Sequence, residues 1–122
     1  MSLSRNAKQR GTTKYKVVAE ACPMIDFVNL VSGKWAVPIL YRLIIGGRPV
    51  RFGELQRAVA PITQKELTKQ LRLFEQRGLV CRKAYAEMPP RVEYEITAIG
   101  KTLRPTLDSL AAWMRRYRTE LS

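Results

Sequence analysis

Residues 54–78 read ELQRAVAPITQKELTKQLRLFEQRG, and this stretch decides the fold. Glu54 to Val59 forms a short helix with Leu55 and Val59 on one side, and Ala60-Pro61-Ile62 turns the chain. Thr63-Gln64-Lys65-Glu66 matches a capping box, in which the N-cap hydroxyl and the carboxylate three residues on satisfy each other's backbone amides. The helix it opens runs to about Gln76 or Arg77 and stops at Gly78. At about 100° per residue, Leu67, Leu71 and Phe74 fall within about 60° of one another. Lys65, Lys69, Arg72 and Gln76 fall within about 60° on the opposite side. One face is core and the other is a stripe of donors. A short helix, a tight turn and a capped helix make a helix-turn-helix.

The flanking sequence extends this unit in both directions. Leu79 to Ala86 and Val92 to Thr97 read as strands, and Glu87-Met88-Pro89-Pro90-Arg91 between them suits a hairpin loop. A hairpin directly after the second helix makes the unit winged. Thr97 caps a last helix, Ala98 to about Arg118, with Pro105 inside it expected to kink it or loosen one turn. Upstream, Pro23 to Val31 has helical spacing, and Trp35 to Ile45 is an apolar helix ended by Gly46-Gly47. Residues 48–52 read as a short strand. The fold class is mainly α with a small β component (α+β), a winged helix-turn-helix with a two-stranded hairpin wing and terminal dimerisation helices. Residues 1–16 read as a basic, flexible tail and residues 17–122 as a single domain for DNA binding and dimerisation.

Composition narrows the chemistry. The 122 residues hold 22 Lys and Arg against 10 Asp and Glu, a net charge of +12. The tail supplies five of the basic residues, Arg5, Lys8, Arg10, Lys14 and Lys16, so most of the excess belongs to the rest of the chain. Such a balance points to a polyanion partner. No histidine is present, which excludes Ser-His-Asp and Cys-His catalysis and histidine ligation of a metal. Two cysteines cannot build a structural zinc site from thiolates. With no carboxylate pair and no phosphate-binding glycine loop, the chain reads as a non-enzyme with no metal and no cofactor. No apolar run approaches the roughly 20 residues that span a bilayer, and Met1 to Lys16 lacks the apolar core of a secretory signal. The expected location is cytoplasmic, at the nucleoid, in keeping with so few cysteines.

Candidate binding residues follow from the geometry of a major groove, which admits one α-helix read near its N-terminal end. Thr63, Gln64, Lys65, Thr68 and Lys69 are the candidates for base contact, and Arg72 and Gln76 for phosphate. Taken alone, the Lys65, Lys69, Arg72 stripe reads equally well as a solvated face. Its place on the second helix of a helix-turn-helix in a +12 chain selects double-stranded DNA. On the hairpin, Arg82, Lys83 and Arg91 either keep an edge soluble or grip flanking backbone as a wing. The rival function is a winged-helix module whose basic face binds an acidic protein. It predicts no preference among DNA sequences. The stripe Ile99, Leu103, Leu107, Leu110, Met114, Tyr117, with Trp113 beside it, is long for one small domain. Leu107, Leu110, Trp113, Met114 and Tyr117 are therefore assigned to a seam between two copies, with Met24, Phe27 and Val28 as its second contributor. Cys22, before Pro23 at a helix start, is a redox-sensing candidate. The bland alternative is a small buried hydrophobe.

The chain resembles the HxlR-type winged-helix transcriptional regulators, a bacterial group related in fold to the MarR regulators. The residues that carry the likeness are Cys22-Pro23, Gly33-Lys34-Trp35, Arg51-Phe52-Gly53-Glu54-Leu55, Gln64 to Leu71, Pro89 to Tyr94, and Thr97-Ala98-Ile99-Gly100. The resemblance spans about Cys22 to Tyr117. It implies a homodimer built from terminal helices, a two-fold DNA operator and regulation of nearby genes. It further implies, for some members, sensing of oxidants or electrophiles through a cysteine at the Cys22 position, so a small-molecule or oxidant effector is expected.

Overall fold

The computed structural model describes residues 22–121. The basic tail over residues 1–16 lies outside the described residues. Backbone contacts divide the chain between Ser32 and Gly33.

Helix α1 (Pro23–Leu30) belongs to the first part. Pro23 occupies its first position, where the missing amide hydrogen has no intrahelical acceptor to disappoint. Cys22 is the N-cap in extended conformation, and its carbonyl accepts from the Ile25 amide at 3.1 Å. No residue of α1 is buried.

From Gly33 onward the core is organised by α2 (Ala36–Gly46), which buries Ala36, Ile39, Leu40, Leu43 and Ile44. This apolar spacing leaves one side of the helix available for several neighbours. They are α3 (Phe52–Ala58), β3 (Arg91–Ile96), α5 (Ala98–Lys101) and α6 (Arg104–Leu121). The remaining elements are β1 (Val50–Arg51), α4 (Gln64–Gln76) and β2 (Val80–Tyr85). Gly47 and Gly78, at φ of 66° and 75°, follow α2 and α4 as the expected stops.

The strands form one antiparallel sheet in the order β1-β3-β2. The expected two-stranded hairpin thus gains a third strand. Val50 pairs with Tyr94 and both are buried, so pairing β1 with β3 covers apolar surface as well as backbone. At the root of the hairpin, the Thr97 hydroxyl donates to the Gly78 carbonyl at 2.7 Å and the Thr97 amide to the Leu79 carbonyl at 3.0 Å. The Leu79 amide in turn donates to the Phe74 carbonyl at 2.9 Å.

The last helix departs from its expected form. The single helix expected from Ala98, kinked or loosened by a turn at Pro105, is instead a short α5, a break at Thr102 and Leu103, and a separate α6 that reaches Leu121. Proline has no amide hydrogen for the carbonyl four residues back, so the ladder cannot continue through Lys101. As the second residue of a new helix, Pro105 loses nothing. The Thr102 hydroxyl turns back onto the Ile99 carbonyl at 2.5 Å and closes the end of α5.

Candidate nucleic-acid interface

The helix-turn-helix is α3, the turn at residues 59–63, and α4. Leu55, Val59 and Ile62 are buried, and the Gln56 side chain donates to the Ile62 carbonyl at 3.3 Å. That bond fixes the turn from inside. Thr63 caps α4 through the expected reciprocal pair. The Glu66 amide donates to the Thr63 hydroxyl at 3.1 Å, and the Thr63 amide donates to the Glu66 carboxylate at 2.9 Å. These bonds hold the Glu66 carboxyl below the usual carboxylate range. The Thr63 amide contributes most, and the nearby Trp35 indole and Lys34 charge add less.

Helix α4 separates its two faces cleanly. Leu67, Gln70, Leu71 and Phe74 are buried. On the outside Gln64, Lys65, Thr68, Lys69, Arg72, Leu73 and Gln76 line one open surface. Six of these seven are the candidates expected from spacing. Leu73 is the addition, an apolar side chain amid donors. Thr63 stands at the edge of that surface with its hydroxyl already accepting within the cap.

The wing places its cations differently. Arg82 lies opposite Tyr94 and Lys83 opposite Glu93, both exposed. Arg91 is drawn back onto the hairpin. Its guanidinium lies 3.9 Å from the centre of the Tyr85 ring and 3.0 Å from the Glu87 carboxylate, with Glu93 at 3.7 Å. Its side chain is 26% exposed, so reaching a groove from this position requires those contacts to open. Beside the wing, Arg48 and Glu54 pair at 2.5 Å, which raises the arginine and lowers the carboxyl from their ordinary values.

The expected seam residues fall into two groups. Leu107 is 2% exposed and belongs to the core of its own chain, because the start of α6 packs on α2. There the Tyr41 hydroxyl donates to Asp108 at 2.9 Å, which raises the Tyr41 phenol from its ordinary value. Farther along α6, Leu110, Trp113 and Tyr117 are exposed and Met114 is half-buried. Trp113 and Tyr117 stack with ring centres 5.1 Å apart. On α1, Met24 and Val28 are exposed and Phe27 half-buried. Both cysteines are free thiols, Cys22 half-buried and Cys81 exposed on β2.

Three contacts escaped the sequence reading: the indole of Trp35 on Glu66, the Tyr41–Asp108 bond and the acidic partners of Arg91. The last had a visible signal, since Glu87 and Glu93 lie four and two residues away on the same hairpin. Among the described residues, no three histidine, cysteine or acidic side chains converge as a metal site. Nor is any helix among them long and apolar enough to cross a membrane.

Comparison with known proteins agrees with this arrangement. The HTH-type transcriptional regulator YdeP of Bacillus subtilis is 37% identical over 102 residues, which cover 84% of this chain and 78% of YdeP. The redox regulator HypR in its reduced form has a TM-score of 0.74 at 36% identity, over 82% of this chain and 97% of that one. The reduced transcriptional regulator YodB from B. subtilis has a TM-score of 0.64 at 31% identity, over 75% and 89%. Residues 30–122 match the HxlR-like helix-turn-helix family. With its winged helix and the donor-lined second helix, this chain is not an enzyme; it belongs to the HxlR-like family of DNA-binding transcriptional regulators.

Proposed function

We propose that the protein is a sequence-specific regulator that acts as a homodimer in the cytoplasm, on nucleoid DNA with a two-fold operator. The observation that carries this reading is the outer face of α4, where donors of the right kind stand together on a helix whose other face is buried. Each α4 enters a major groove, with half-sites about 34–36 Å apart. Gln64, Lys65, Thr68 and Lys69, with Thr63 at their edge, face base edges, and Leu73 suits a thymine methyl. Arg72 and Gln76 take phosphate. Arg82 and Lys83 hold flanking backbone, and Arg91 joins them when it leaves its acidic partners. The exposed residues Leu110, Trp113 and Tyr117 of α6, and Met24 and Val28 of α1, supply apolar surface for a second copy to cover.

An oxidant is the effector, and Cys22 its sensor. The likeness to HypR, named a redox regulator, supports this role. Two Cys22 thiols, one from each copy, join in a disulfide while hydrogen peroxide takes the two electrons and the two thiol protons and leaves as two waters. Non-reducing electrophoresis of the wild type and of Cys22→Ser after peroxide treatment checks this step, and a dimer band that persists in the variant overturns it.

The test of the main reading is fluorescence anisotropy under reducing conditions. It compares a duplex from the promoter region of the protein's own gene with a scrambled duplex across a salt series. A specific regulator binds its site about 10³-fold or more above its non-specific binding. Equal affinities, lost together as salt rises, overturn the reading in favour of a basic module with an acidic protein partner.

A further inference from the structure

Two residues of one tight turn meet α4 at two positions a single helical turn apart. Gly33, at φ 114°, approaches so closely that a Cβ there would lie 2.6 Å from the Gln70 side-chain oxygen. Gln70 is 8% exposed and has little room to swing aside. Two residues on, the Trp35 indole N–H donates to the Glu66 carboxylate at 3.4 Å. Positions 66 and 70 lie four apart and share one face of α4. The same turn starts the central helix, since the Ala36 amide donates to the Gly33 carbonyl at 3.2 Å and the Ile39 amide to the Trp35 carbonyl at 3.1 Å. The Lys34 ammonium lies 4.9 Å from the centre of the Trp35 ring.

We infer that Trp35, seated by the bend at Gly33, is a positioning residue for the N-terminal end of α4. It sets the aim of the side chains that read DNA without touching DNA itself. The inference rests on the reading of α4 as the recognition helix. Its chemistry lies in Glu66, whose two carboxylate oxygens serve two donors. One takes the Thr63 amide and closes the cap, and the other takes the Trp35 indole and ties the capped end to α2. The cap alone makes the first turn of α4 helical. The indole determines where that turn points. Because a base contact needs its donor and acceptor within a few tenths of an ångström, this tie acts on specific binding and leaves backbone attraction alone.

Hydrogen exchange of the full chain, free of DNA, decides the matter first. Trp35→Phe keeps an aromatic ring and removes the N–H donor together with the five-membered ring that carries it. The Thr63 and Glu66 amides should then exchange about three- to tenfold faster, the factor that one ordinary hydrogen bond represents, while Leu71 to Phe74 keep their rates. Unchanged rates at Thr63 and Glu66, or an equal rise along all of α4, overturn the inference. Glu66→Ala offers an independent variant. Alanine has no side-chain acceptor, so the cap bond and the indole bond are lost together. Adding Trp35→Phe to Glu66→Ala should produce little further change, and additive effects overturn the claim. In anisotropy, Trp35→Phe should lower affinity for the operator about three- to tenfold and leave scrambled-duplex affinity within about twofold. Equal losses on both duplexes overturn it. A wild type with no preference for any duplex overturns the sequence-specific reading instead, and the exchange rates still decide the role of Trp35.

Discussion

Helices α4 and α6 both carry apolar residues at helical spacing, and the fold treats them in opposite ways. In α4 the stripe disappears into the protein: Leu67, Leu71 and Phe74 are almost fully buried and α4 packs along β2. In α6 the stripe sinks only at its start. Leu107 is buried, while Leu110, Trp113, Tyr117 and Leu121 stand in the open. The lengths explain the difference. Helix α4 has 13 residues, whereas the 18 residues of α6 extend about 27 Å, and α2, on which its start packs, has 11. An apolar stripe states that a face avoids water and leaves open which molecule covers it.

The sharpest way to break this contrast is to remove one large residue from each stripe. Phe74→Ala should cost about 3–5 kcal/mol in urea unfolding, independent of protein concentration. Trp113→Ala should act through association: by sedimentation equilibrium the dimer should dissociate about thirtyfold more readily or worse, corresponding to the roughly 2 kcal/mol of a central interface aromatic. A concentration-independent loss of the Phe74 kind would place Trp113 in the core of its own chain and remove the contrast. On the outer face of α4, Arg72→Ala should leave unfolding within about 0.5 kcal/mol of wild type. Its effect should be on DNA, reducing the slope of log affinity against log salt by about 1.

The smallest expected effect is on pH dependence. Glu54 and Glu66 both have carboxyls lowered from the ordinary value of 4.5. As pH falls, the unfolded chain therefore takes up protons at these positions before the folded chain does. Their contribution is present above about pH 4.5 and is lost as pH drops through the lowered folded values. Glu66→Gln should flatten the acid limb of a thermal-melt profile slightly, because the group is exposed and screened. An unchanged limb would sever Glu66 from the stability of the capped end.

Local chemistry made much of this molecule readable from its residues. The capping box at Thr63 and Glu66 needs only a spacing of three, and the two faces of α4 need only the helical period. The donors on α4 were legible for the same reason. What escaped depends on residues distant in sequence. Trp35 and Glu66 are 31 positions apart, and Tyr41 and Asp108 are 67 apart. No periodicity reports such a meeting. The pairing of β1 with β3 was hidden in the same way, since two residues of strand carry almost no pattern of their own. The break before α6 differs for another reason. Pro105 announces an interruption, and the chain breaks a turn before it, at Thr102 and Leu103, because the amide hydrogen it lacks is the one the Lys101 carbonyl would accept.

The bonds of Thr97 to Gly78 and Leu79 have a mechanical consequence. They join the exit of the hairpin to its entrance, at the end of α4, and β1 holds the strand β3 as far out as Glu93, so the wing is a cantilever fixed along its inner half. Its six-residue strands project about 20 Å from the clamp. Bending accumulates along a cantilever and is greatest at the tip, here Met88 to Pro90, where Pro89 and Pro90 share one hollow with Arg51 to Gly53. In the proposed complex, what bending the wing allows falls at that tip, while the root and the helix beside it stay where they are.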